Sequence, residues 1–141
     1  MHEVLHPQGW APALGYANGI AAEGRTVFLG GQIGWNAAQK FETDELVGQV
    51  RQTLENIVAV LAEADASSAD IVSLTWFMTD LDEYTEHLRE IGRAYRDIIG
   101  KHFPAMAVVE VRRLVEKRAK VEIQAIAVIP AKNTADDSRT A

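Results

Sequence analysis

No cysteine occurs in this chain, and that one absence removes disulfide bonds, thiolate nucleophiles and cysteine-ligated metals together. It also fits a cytoplasmic protein. No apolar run approaches the ~20 residues that cross a bilayer, so no membrane partner is expected. The opening stretch, Met1 to Pro7, has no basic segment followed by an apolar one, and no secretory signal is expected. Positive charge is scarce: 14 Lys and Arg stand against 20 Asp and Glu, a formal net charge of −6. Binding nucleic acid through its phosphates needs a concentrated positive surface. The basic residues that cluster here, Arg112 and Arg113, then Lys117, Arg118 and Lys120, are interleaved with Glu110, Glu116 and Glu122. They read as a solvated hairpin, and no nucleic-acid partner is expected. With the four histidines His2, His6, His87 and His102 no acidic residue completes a metal cluster, so neither metal nor cofactor is expected. His102, in the loop before Pro104, either faces outward as a surface histidine, the preferred reading, or stands at the edge of a site. The segment Gly30 to Gly34 lacks the spacing and the Lys-Ser/Thr pair of a phosphate loop.

Hydrophobic residues make up 48% of the 141 positions, enough for a packed core in one domain over residues 1–130. Residues 131–141 are polar, lack large apolar side chains and are expected to form a loose tail. A first hairpin is expected from Tyr16 to Gln32, with arms Tyr16–Ile20 and Thr26–Leu29 and a turn at Ala22–Arg25 containing Gly24. From about Asp44 to Ala64 the apolar residues Val47, Val50, Leu54, Ile57, Val58 and Leu61 recur at helical spacing, with Thr43 or Asp44 to cap the start. Asp70 to Thr79 reads as a buried strand. Asp80 and Glu83 match a capping box before a helix carrying Tyr84, Leu88, Ile91, Tyr95 and Ile98, which Gly100 is placed to end. Two strands, Met106–Leu114 and Ala119–Ile129, close the domain.

The order is ββαβαββ, an α+β pattern with two helices on one face of a sheet. The strands are apolar on both faces at Val27-Phe28-Leu29, Val108-Val109 and Ile126-Ala127-Val128-Ile129. Two helices cover one face only, so the other needs a second copy of the chain, and an obligate homo-oligomer is expected.

Gly15-Tyr16, the run Val27 to Ile33, the helix Gln49 to Leu61, Asp70 to Thr75, Asp80-Leu81, Phe103-Pro104-Ala105, Val109-Glu110-Val111 and Val121 to Val128 resemble the RidA/YjgF family in order and spacing. The resemblance covers about Gly15 to Val128. It implies a chorismate-mutase-like fold, a mixed sheet, and a homotrimer with a small-molecule cleft at each subunit interface. It also implies a typical activity, hydrolysis of reactive enamines and imines to a ketoacid and ammonia.

Residue by residue, the resemblance makes Glu122 the group that positions or activates the attacking water, which a carboxylate does only within hydrogen-bond reach. The alternative is that Glu122 pairs with a basic neighbour on the hairpin. Tyr16 matches a cleft tyrosine, or else packs at an interface. Gly30 and Gly31 stand where Ser-Gly is common; Gly31 either admits substrate to the backbone or marks a strand-end bulge. Met106 replaces an arginine thought to hold the substrate carboxylate, and a thioether offers no charge. Val108 stands where cysteine is frequent, Leu88 where asparagine is, and Gln124 replaces a second glutamate. Trp35 and Trp76 are expected near the cleft, either walling a pocket for a flat ligand or packing in core or interface. Three functions remain open on these residues: an enamine/imine deaminase, a non-catalytic ligand-binding or regulatory trimer, and an endoribonuclease, against which the net charge of −6 counts.

Overall fold

The computed structural model describes residues 2–131, so residues 132–141 of the expected tail lie outside the described residues. In chain order the elements are β1 (Glu3–Leu5), β2 (Gly19–Ala21), β3 (Gly24–Phe28), β4 (Gln32–Ile33), α1 (Leu46–Ala62), a 3-10 turn (Ser68–Asp70), β5 (Ile71–Met78), α2 (Leu81–Glu86), α3 (Leu88–Ile98), β6 (Ala105–Glu110) and β7 (Val121–Pro130). The main sheet runs β3-β7-β5-β6, with β4 continuing the pairing along β7. It is mixed: β5 and β6 are parallel, and β7 is antiparallel to β3, β4 and β5.

The core forms between α1, α3 and one face of this sheet. Val50, Leu54, Ile57 and Leu61 of α1 are fully buried against Leu74 and Met78 of β5 and Val121, Ile123 and Ala125 of β7. Each such side chain contributes about 1.5–3 kcal/mol through burial. The expected apolar stripe of α1 is shifted: Val47 and Val58 are only partly buried, while Leu46, Gln49 and Thr53 are enclosed. Neither Thr43 nor Asp44 is the N-cap. That position is Glu45, whose N–H bonds to the Thr43 hydroxyl at 3.0 Å, while Asp44 pairs with Arg118 at 2.9 Å.

Two expected hairpins are absent as pairings. β2 pairs with β1, not with β3, and β3 pairs with β7. The Ala22–Arg25 turn therefore joins two sheets. Gly24, at φ +146°, is needed because a Cβ there would stand 1.9 Å from the Ile129 carbonyl oxygen of β7. Likewise β6 and β7 are not neighbours, because β5 lies between them. A parallel strand must be reached by a crossover, which α2 and α3 supply. β6 ends at Glu110, so Arg112 and Arg113 lie in the connection 111–120 and not on a hairpin arm.

The second helix is also divided. His87 departs from helical geometry (φ −107°, ψ 19°) between α2 and α3, with its Nδ1 2.9 Å from the Glu83 carbonyl oxygen. Asp80 does cap α2, accepting from the Glu83 N–H at 3.1 Å. The Glu83 carboxylate leaves the expected capping box and takes the Lys120 ammonium at 3.0 Å. At the 3-10 turn the Asp70 carboxylate accepts from the Ser67 N–H at 2.9 Å, and the Asp70 N–H donates to the Ser67 carbonyl at 3.0 Å. Gly100, at φ +94°, follows the end of α3 as expected.

A polar clamp holds the irregular segments to α1. The Gln49 amide is wholly buried; it donates to the carbonyls of Thr43 and Arg118 at 3.2 and 2.9 Å and accepts from the Lys120 N–H at 2.8 Å. The Asn56 amide donates to the carbonyls of Ile33 and Trp35 at 2.9 and 2.8 Å. Gln49→Leu leaves those backbone groups buried without partners, so unfolding in urea is expected to show a loss of about 1–3 kcal/mol or more. A change within 0.5 kcal/mol would contradict the clamp.

Candidate functional site

In a strand, neighbouring residues face opposite sides, and residues paired across strands share a side. Leu74 pairs with Met106 and Ala125, and Trp76 with Val108 and Ile123, so these residues share the helix-covered side. Phe77 pairs with Val109 and Glu122, and Thr75 with Ala107 and Gln124. These occupy the opposite side, together with Phe28 and its partner Ile126. Phe28 is 75% exposed and Val109 41% exposed, so the open side carries large apolar surface. Val27, Val108 and Ile129 pack on the helix side.

On the helix side a cleft of about 650 Å³ lies between α3 and β6. Trp76, Met106 and Val108 form its strand wall, and Leu88, Ile91 and Tyr95 its helix wall. Tyr16 reaches the cleft because the Ala17 N–H bonds to the Pro104 carbonyl at 3.0 Å, laying that segment along the start of β6. Tyr95 stacks on Phe103 (centroids 5.7 Å apart, 16° between planes) and tilts against Trp76 at 6.4 Å. Its hydroxyl donates to the His102 carbonyl at 2.5 Å. His102 is not a free surface histidine: its Nε2 lies 2.7 Å from the Ile71 carbonyl oxygen, tying the loop to β5. Burial raises the pKa of Tyr95 and of Tyr84, which also borders the cleft, so both are neutral phenols. The Trp76 indole N–H is buried without a partner, an arrangement that costs about 1–3 kcal/mol.

Gly30, Gly31 and Glu122 are not in this cleft. A Cβ at Gly31 would fall 2.5 Å from Glu122 Oε2, so the carboxylate lies directly over that glycine. The Gln32 amide donates to the Gly30 carbonyl at 3.2 Å. Glu122 therefore does not sit beside Met106 and Val108, because strand alternation puts it on the other side of the sheet. Nor does it pair with a basic neighbour: the ion pairs among the described residues are Arg51–Asp97, Arg118–Asp44 and Lys120–Glu83. Trp35 also stands apart. It packs against Phe41 at 6.0 Å, beneath the loop that carries Arg118, whose guanidinium lies 5.3 Å from the Phe41 centroid. Of the two tryptophans only Trp76 belongs to the cleft.

Sequence reasoning missed Arg89, Gly92 and Arg96, which line the cleft from α3. Their spacing, three and four residues, puts them on one helix stripe beside Leu88 and Tyr95, but exposed arginines read as solubilising charge. Among the described residues no three His, Asp or Glu side chains are grouped to hold a metal ion, and no helix is long and apolar enough to cross a membrane.

The family model described as Endoribonuclease L-PSP matches residues 8–129. The chain belongs to this family, also known as RidA/YjgF. A RutC family protein of Haemophilus influenzae is 35% identical over 128 residues, 91% of this chain and 98% of the relative. A 2-iminobutanoate/2-iminopropanoate deaminase of Salmonella typhimurium is 33% identical over 132 residues, again 91% and 98% of the two chains. The crystal structure of a Rid family protein of unknown function from Yersinia pestis, YyfB, superposes with a TM-score of 0.81 at 26% identity, over 91% of this chain and 98% of that one. The mixed sheet with its helices on one side is thus the RidA/YjgF fold.

Gly31→Ala is expected to displace the Glu122 carboxylate, moving its carbon resonance in an NMR spectrum. Gly30→Ala is the control, since nothing lies within 4 Å of a Cβ there. Equal resonances in wild type and Gly31→Ala would contradict the contact.

Proposed function

We propose that this RidA/YjgF protein hydrolyses a reactive enamine or imine to a carbonyl compound and ammonia, at clefts completed between the copies of a homotrimer. The observation that carries the reading is the division of the family's site positions between the two sides of one sheet. Tyr16, Met106 and Val108 border the cleft, while Gly31 and Glu122 are held together on the open side. A second copy, covering the exposed Phe28 and Val109, would bring its own Gly31–Glu122 pair to the cleft of the first. The names of the relatives support the chemistry: deaminases of small iminoacids share a third of their residues with this chain.

In the proposed reaction the Glu122 carboxylate accepts a proton from water as the water oxygen bonds to the imine carbon. The proton passes to the nitrogen, giving a neutral carbinolamine; the carboxylate then relays the carbinol hydroxyl proton to the nitrogen as the carbon–nitrogen bond breaks, so that ammonia leaves and the carbonyl remains, an enamine having first taken a proton at carbon to become the imine. Tyr16 is the hydroxyl donor that orients the substrate.

Met106 favours one further reading, binding without turnover, because the usual carboxylate-holding arginine of the family is replaced by an uncharged side chain. An amino-acid oxidase coupled to the purified protein separates the two. Faster imine decay, reduced about 10²-fold or more in Glu122→Ala, is the result expected for a deaminase. Tight metabolite binding without faster decay for any imine tested would leave the binding trimer. Sedimentation is expected to give three times the monomer mass, and Phe28→Glu, which puts charge on the open side, is expected to shift it toward monomer. A stable wild-type monomer at nanomolar concentration would overturn the assembly.

A further inference from the structure

The cleft has a charge pattern opposite to the net charge of the chain. The chain is acidic, at −6, yet the ionised side chains that line the cleft are Arg89 and Arg96, and no carboxylate lines it. Both arginines are exposed, and neither belongs to an ion pair among the described residues. Seven residues apart on α3, they are separated by about 10 Å of helix axis, and Gly92 lies between them. Nothing stands within 4 Å of a Cβ at Gly92, so the fold does not require glycine there. A glycine inside a helix costs about 0.5–1 kcal/mol relative to alanine; what it leaves here is open space flanked by two guanidinium groups. Such planar forks suit a carboxylate.

The remaining wall of the cleft has the opposite character. Trp76, Tyr95, Phe103, Met106 and Leu88 present aromatic and aliphatic surface, and Leu88 is 51% exposed. A small polar substrate leaves this surface wet. A flat apolar body removes it from water and meets ring faces already arranged by the Tyr95–Phe103 stack.

We infer that the cleft selects a carboxylate carrying an aromatic or comparably bulky apolar body, with the body against Trp76 and Met106 and the carboxylate over Gly92 between Arg89 and Arg96. The inference rests on the reading above only in taking this cleft as the place where substrate enters. The arginines of α3 then do the work that Met106 cannot do, at a site displaced from the strand toward the cleft mouth. That displacement makes room for a longer substrate.

The test is isothermal titration calorimetry with three unreactive probes: 3-phenylpropanoate, propanoate and 3-phenylpropanamide. The wild-type protein is expected to bind 3-phenylpropanoate at least tenfold more tightly than either of the others. Raising the salt is expected to weaken the carboxylate and leave the amide unchanged. The double variant Arg89→Gln/Arg96→Gln alters two exposed side chains outside the core, and is expected to bring the carboxylate down to the amide's affinity with the amide unaffected. Equal binding of carboxylate and amide by wild type, equal binding of propanoate, or full selectivity in the double variant would each overturn the inference. Selective binding with no imine hydrolysed would keep it and remove the deaminase reading. Imine hydrolysis with no selectivity would keep that reading and remove the inference.

Discussion

The alternation of side chains along β5 and β7 constrains everything else in this molecule. Trp76 and Phe77 are adjacent in the chain and face opposite sides of the sheet, and each carries a row of neighbours with it through cross-strand pairing. One row, with Val108 and Ile123, meets the helices. The other, with Val109 and Glu122, meets whatever covers the open side. A sheet a single layer thick cannot bring both rows to one point. A site that uses both must therefore draw on more than one copy of the chain, and the apolar surface at Phe28 and Val109 gives such copies a reason to associate.

The cleft and the clamp on α1 depend on that same sheet from different ends. Gln49 and Asn56 fasten the segments around Ile33, Thr43 and Lys120 to the helix. This fixes β4, and with it the close approach of Gly31 to Glu122. At the other end, Tyr95 and His102 tie the loop before β6 to β5 and α3. The aromatic wall of the cleft is built by the same contacts. That cleft carries an uncharged Met106 on its strand wall and two arginines, Arg89 and Arg96, on its helix wall.

Much of the fold was legible because burial imposes period. The stripe Val50, Leu54, Ile57 and Leu61, the apolar run of β5 and the stop at Gly100 all appear where pattern places them. The failures have physical causes. Gln49 and Thr53 fell outside the expected apolar stripe because side-chain polarity does not reveal that buried backbone groups need partners. His87 divides a continuous apolar pattern, since a single non-helical residue leaves the spacing on either side nearly intact. Strand partners were misassigned in both hairpins because nearness in sequence is only a tendency in strand pairing. β7, last in the chain, takes the centre of the sheet between β3 and β5.

The sequence alone determined the class of fold, the family, the two-sided apolar character of the strands and four residues that line the cleft, Tyr16, Trp76, Met106 and Val108. These depend on local period and on residue order, which a linear chain carries in full. Only the tertiary structure decided that Glu122 and Gly31 stand apart from that group, that Trp35 does not share the cleft with Trp76, and that Arg89 and Arg96 border it. Those facts depend on which strands pair and which side of the sheet a helix covers, and such long-range choices are made by packing between residues far apart in the chain.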